Sequence, residues 1–220
     1  MSKILLCCEG VSDQGYAEYR DGEYVHVDGT IQKYLQKLAL GNPLVFVVKK
    51  RADIERFQVY PSKKFASAPQ KKARKLAAMA QQAGCRHIAY HRDEDNEGFQ
   101  TGYDQVRSYF AIAEAKGMRC LAIVPMHMTE NWLLSDAGAF PSVPNNPPLP
   151  KKPEETWGKK GTDDHPKKYM ERVLAQFHLQ PSAGTYGDIA EHSRVEIVCR
   201  KCPVSFRRLC EDMREFLATD

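Results

Sequence analysis

No stretch of this chain is long and apolar enough to span a bilayer, and the run Ile4-Leu5-Leu6-Cys7-Cys8 is too short for a secretory signal. Neither export nor membrane insertion is expected, and the cytoplasm is the expected compartment. A disulfide framework is lacking too: the seven cysteines are odd in number and show no framework spacing, as suits a reducing compartment. Cys199 and Cys202 form a CxxC pair, but no second CxxC and no histidine pair stands at zinc-site spacing; His192 is the nearest further ligand. Two structural cysteines are the expectation there. No Gly-rich run ends in Lys-Ser or Lys-Thr, so nothing here supplies ATP chemistry. There is no internal repeat. Strong net charge is also absent, since +4 is too small to demand a polyanionic partner.

What is present reads as one α/β domain with an elaboration, and 220 residues can bury enough core to need no staples. Four short apolar runs, 3–8, 44–48, 87–91 and 119–124, have the composition of strands covered on both faces. Between them, 30–40, 69–83 and 98–116 carry helical periodicity, with Pro69 opening one helix and Gly84 and Gly117 as stops. This alternation predicts a mostly parallel, doubly wound, Rossmann-like sheet over residues 1–140. Residues 141–165 are proline-rich, then basic, and read as a loop. Residues 166–220 form a C-terminal helical elaboration packed on the core, with helices from Pro166 to Phe177 and Pro203 to Leu217 joined by a loop through Gly184 and Gly187.

In such sheets ligands bind outside the carboxyl ends of the strands, and acidic residues stand there. Glu9-Gly10 follows the first strand, Asp93-Glu94-Asp95 the third, and Glu130 comes soon after the fourth. In extended chain, residues two apart share a side, so Asp93 and Asp95 face together and Glu94 faces away. Converging carboxylates repel unless a cation lies among them, which points to Mg²⁺ or Mn²⁺ and to phosphoester chemistry. Taken singly the features are plain: Asp-x-Asp is common in turns, and Ser12 and Asp13 read as helix capping. Trp132 reads as core, and His87 and His91 as structural histidines. Basic clusters at Lys49-Lys50-Arg51, Lys63-Lys64, Lys71-Lys72 with Arg74-Lys75, Lys151-Lys152, Lys159-Lys160 and Lys167-Lys168 surround this acidic centre. Together they suit a nucleic-acid substrate, although each alone reads as a solvated face.

Glu9-Gly10 after the first strand and Arg92-Asp93-Glu94-Asp95 after a later one resemble TOPRIM domains, the module of topoisomerases, primases and overcoming-lysogenization-defect type nucleases. Glu130-Asn131-Trp132-Leu133-Leu134-Ser135-Asp136 is similar to a Glu-x-Trp-x-Leu-x-Asp motif of small stand-alone TOPRIM-like (DUF4276-like) proteins of bacterial defence loci. The proline-rich stretch, Pro166-Lys167 and Cys202-Pro203-Val204-Ser205-Phe206 fit the same pattern. The segment after Glu9, with Tyr16, Tyr19, Tyr24 and His26, is longer than usual in that family. His91 stands where an apolar residue or Asp is more common.

The resemblance implies a Mg²⁺- or Mn²⁺-dependent endonuclease, the effector of an anti-phage system paired with an ATPase of AAA or ABC type. Glu9, Asp93 and Asp95 would hold metal, with Glu130 as a further ligand. Two ions about 4 Å apart would then serve an in-line displacement. Lys167 would neutralise phosphate charge, with Lys151, Lys152 and Lys168 as substrate-binding rivals. Asp13, His91 and Asp136 are supporting candidates. Asp136 lies about 120° around a helix from Glu130, so the two reach one ion only if the helix breaks. His91 flanks the site. The tyrosines after Glu9 would suit self-association or another partner. The alternatives are a scaffold subunit that keeps the fold without cleaving, and a nucleotidyl or phosphoryl transferase.

Overall fold

The computed structural model describes residues 2–59, 67–94, 97–141, 148–155, 157 and 162–218. Strand β1 (Ser2–Cys8) runs through the centre of a four-stranded sheet with β4 (Leu44–Lys50), β5 (His87–His91) and β6 (Arg119–Ile123), in the order β4-β1-β5-β6. All pairings are parallel, with Leu5 of β1 opposite Val47 and Ile88, and Ala89 of β5 opposite Leu121. Every carboxyl end therefore opens on the same edge.

Alternation along β1 divides the core in two. Ile4, Leu6 and Cys8 enter one cluster, and Leu5 and Cys7 the other, all buried. The second cluster is closed by α3 (Arg51–Arg56), α4 (Ala68–Gln82), α5 (Phe99–Ser108) and α6 (Ala111–Glu114), through Ile54, Leu76, Val106 and Ala113. The first takes α2 (Thr30–Leu38), α7 (Glu130–Leu133), α8 (Pro166–Gln176), α9 (Ala183–His192), α10 (Val195–Lys201) and α11 (Ser205–Leu217). The C-terminal helices thus share the core of β1. α4 starts as its sequence dictates: Ser67 Oγ accepts the Gln70 N–H, Gln70 returns the bond to the Ser67 N–H, and Pro69 lies in the first turn.

Two expectations change, and a third segment gains elements of its own. The continuous helix over 98–116 is two helices, α5 and α6. Bonds of the i→i−3 type at Tyr109 and Phe110 tighten the junction, and both rings are buried in the same cluster. The loop through Gly184 and Gly187 is α9: Ser182 accepts the Thr185 N–H, and Gly187 lies so close to the backbone carbonyl of Asp28 that a Cβ would stand 2.5 Å from it. Close packing outweighs the low helix propensity of glycine here. The segment after Glu9 is α1 (Val11–Gln14) followed by an antiparallel hairpin of β2 (Tyr16–Arg20) and β3 (Glu23–Val27). Its turn, Asp21-Gly22, has positive φ at both positions (50° and 92°), as a two-residue loop of type I′ requires.

Candidate active site

The parallel register carries Glu9, Arg51 and Asp93 to one edge, where β1, β4 and β5 end. α7 follows β6 and opens with Glu130. Glu9 is pinned from two sides: Oε1 accepts Arg51 Nη1 at 2.8 Å, and Oε2 accepts the Asp93 N–H at 3.4 Å. Asp93 Oδ1 accepts from Thr129 Oγ1 at 3.5 Å and lies 3.6 Å from His91 Nε2.

His91 is fully buried at the centre of this arrangement. Its Nε2 shares a 3.0 Å hydrogen bond with Thr129 Oγ1. Among the described residues its Nδ1 has no hydrogen-bond partner, and it faces Asp13 Oδ2 at 3.8 Å. Burial alone would lower the pKa of His91; the carboxylates of Asp13 and Asp93 outweigh it and raise it well above the ordinary value. Asp13, on the single turn α1, is buried, and burial raises its carboxyl while His91 draws it down. Glu130 is buried too, and burial, then the charges of Asp93 and Asp13, push its carboxyl up to about 7. Lys167, exposed at the start of α8, pulls the other way on both Asp13 and Glu130.

Three carboxylates, Asp13, Asp93 and Glu130, are therefore close enough to perturb one another, with His91 and Lys167 as nearby cations. Glu9 meets this group through the Asp93 N–H and is held by Arg51. Asp95 lies outside the described residues. Among the described residues, no three His, Cys, Asp or Glu side chains form a group that could by themselves hold a metal ion.

Other sequence candidates sit elsewhere or do other work. Glu94 faces inward and is buried, accepting the backbone N–H groups of Gly98 and His127, the latter at 3.0 Å. It fixes the loop that presents Asp93. Asp136 caps the 3₁₀ turn Ala137–Ala139 through the Gly138 N–H and accepts three bonds from Arg194. α7 ends at Leu133, so Glu130 and Asp136 do not share a helix. Lys151 is exposed, Lys152 pairs with Glu155 at 2.8 Å, and Lys168 pairs with Glu171 at 2.8 Å. Trp132 is wholly buried and donates Nε1–H to Ser205 Oγ at 2.8 Å.

The structure adds residues that motif reading passes over. Thr129 links His91 to Asp93. Arg51 belongs to a basic cluster, and its position after β4 is the legible signal that it shares the edge of Glu9. Lys72 of α4 bonds Tyr90 Oη at 3.2 Å and lies 4.4 Å from the centre of the Tyr109 ring. Burial, then the charges of Arg51 and Arg92, lower its pKa, so three cations share this flank. Comparison with known proteins gives no matching family model, no matching curated protein and no matching solved structure.

Proposed function

We propose that this chain is a doubly wound, TOPRIM-like, Mg²⁺- or Mn²⁺-dependent nuclease acting in the cytoplasm. The observation that carries the reading is the mutual crowding of Asp13, Asp93 and Glu130 at the carboxyl edge of a parallel sheet, with His91 against Asp13 and Asp93, and Glu9 bonded to the Asp93 N–H. Carboxylate oxygens are the donors that a hard divalent cation prefers, and these side chains would have to draw together to share one, since no three of the described ones form such a group as they stand. Glu9, Asp93, Asp95 and Glu130 would hold it, and Asp13 joins them by position. Bound there, the ion would supply Lewis-acid charge for phosphodiester hydrolysis.

The chain's own groups divide the remaining work. Lys167 would meet phosphate charge at the carboxylate cluster. Arg51, Lys72 and Arg92 would take flanking phosphates and position the strand without reading its bases. Arg51 already occupies Oε1 of Glu9, so it would compete with an ion for that oxygen. His91 and Thr129 would hold Asp93 in place. The resemblance to defence-locus proteins supports an AAA- or ABC-type ATPase partner that restrains or activates cleavage.

The test is cleavage of plasmid, linear DNA and tRNA with Mg²⁺ or Mn²⁺, with Asp93→Ala alongside and an ATPase encoded beside this chain present or absent. Wild-type cleavage lost in the folded variant is the expected result. If neither metal supports cleavage, with or without the ATPase, the nuclease reading fails and the scaffold reading takes its place. Labelled nucleotide incorporation would instead support the transferase reading.

A further inference from the structure

Seven free cysteines are distributed over the fold, and two of them meet. Cys199 Sγ on α10 lies 2.8 Å from Cys210 Sγ on α11, within ~1 Å of the ~2.05 Å covalent S–S distance. The CxxC spacing suggests a different pair, but Cys202 points away: its Sγ is buried 3.1 Å from Ser135 Oγ and 3.8 Å from the Asn131 carbonyl. Cys199 is half-buried and so open to a small reagent, whereas Cys210 is buried behind it. The contact with Cys210 and the charges of Arg207 and Arg214 favour the Cys199 thiolate, against burial. A partly exposed thiolate among cations is the attacking group in thiol–disulfide exchange.

We propose that Cys199 and Cys210 form a reversible disulfide on meeting a low-molecular-weight disulfide, stapling α10 to α11. Cys199 loses its proton to solvent, and its thiolate attacks one sulfur of RS–SR, releasing RS⁻ and leaving a mixed disulfide. The Cys210 thiol, deprotonated in turn, attacks Cys199 Sγ and releases the second RS⁻. Two protein thiols are oxidised by two electrons, and one small disulfide is reduced to two thiols. The staple encloses Ser205, whose Oγ accepts the Trp132 Nε1–H. It therefore braces α7, the helix that carries Glu130. Intracellular disulfides are most often of this reversible kind.

Trypsin reads the outcome directly, because Arg194, Arg200, Lys201, Arg207, Arg208 and Arg214 place Cys199, Cys202 and Cys210 on three different peptides. The native protein is exposed to oxidised glutathione, free thiols are alkylated, and the digest is mapped without reductant. The expected product links Val195–Arg200 to Leu209–Arg214 within one chain and disappears with dithiothreitol. Cys210→Ser should instead trap one glutathionyl group on Cys199. A Cys199–Cys202 link, a link between chains, or a glutathionyl group persisting on wild-type Cys199 would overturn the proposal. These readouts need no nuclease activity.

Discussion

Asp136 uses both of its carboxylate oxygens on one neighbour and one turn. Arg194 reaches it by Nε and backbone N–H at 2.9 Å and by Nη2 at 2.7 Å, and the Gly138 N–H adds 2.9 Å. Burial would raise its pKa, but these bonds prevail and hold it at about 2 against an ordinary 3.8. A folded pKa below the unfolded one stabilises above the unfolded value, and that stability is lost as pH falls through the folded value. The stake is about 2 kcal/mol, at ~1.36 kcal/mol per pH unit. Asp136→Asn should therefore lose about 2 kcal/mol in urea unfolding at pH 7, and the gap to wild type should close between pH 4 and pH 2. A gap independent of pH would contradict the ionic account. Sequence spacing relates Asp136 only to Glu130. Arg194, its partner, is 58 residues away, and no local pattern announces it. Glu94 shows the same limit: two-residue alternation holds while the chain is extended, but β5 ends at His91, and beyond it Glu94 turns inward to accept two backbone N–H groups.

At the scale of elements, α11 begins without a capping side chain of its own. Glu154, buried and some fifty residues earlier, supplies the cap: Oε2 accepts the Val204 N–H at 2.9 Å, and Oε1 accepts the Ser205 N–H at 2.8 Å and the Ser205 hydroxyl at 2.5 Å. A carboxylate there satisfies orphan N–H groups and complements the helix dipole. Glu154→Ala should cost about 2 kcal/mol in thermal or urea unfolding, and Glu154→Gln less, since its amide oxygen still accepts. Equal losses for the two variants would mean that packing, not capping, is what Glu154 contributes. Local signals identify elements whose causes are local. The four sheet strands are legible because strands covered on both faces have no polar side, and α4 because it carries its own capping box. The Asp21-Gly22 turn of the β2–β3 hairpin is equally local in cause, yet the reading of the sequence by apolar runs passes over it, because these strands are mostly exposed. By contrast, α9 contains two glycines, and the one at 187 is required by a distant contact, the approach of its backbone to the Asp28 carbonyl. Propensity reads such a segment as a loop.

For the whole molecule, the carboxylate edge is a cost that a bound cation would offset. Burial and like charge hold Glu130 up at about 7, a penalty on its charged form that a bound divalent ion would relieve. The acidic motifs at the strand ends were legible because a parallel sheet sends every carboxyl end to one edge. The dependence of Asp93 on Thr129 and His91, and the hold of Arg51 on Glu9, arise only when β1, β4, β5 and the start of α7 meet. Binding to the folded state alone raises stability by about 2.7 kcal/mol at a hundredfold excess of ligand over Kd. For a domain near 200 residues, each kcal/mol moves Tm by about 2–4 °C. Saturating Mg²⁺ or Mn²⁺ should therefore raise the wild-type Tm by about 5–10 °C, and EDTA should reverse it. Asp93→Asn keeps the size of the side chain and an oxygen facing Thr129 but removes a charge from the cluster, so its Tm should respond weakly or not at all. Differential scanning calorimetry at fixed ionic strength, with Na⁺ as the control cation, makes the measurement. An equal rise in both proteins would place the binding elsewhere on the surface and remove the carboxylate edge from consideration as a metal centre.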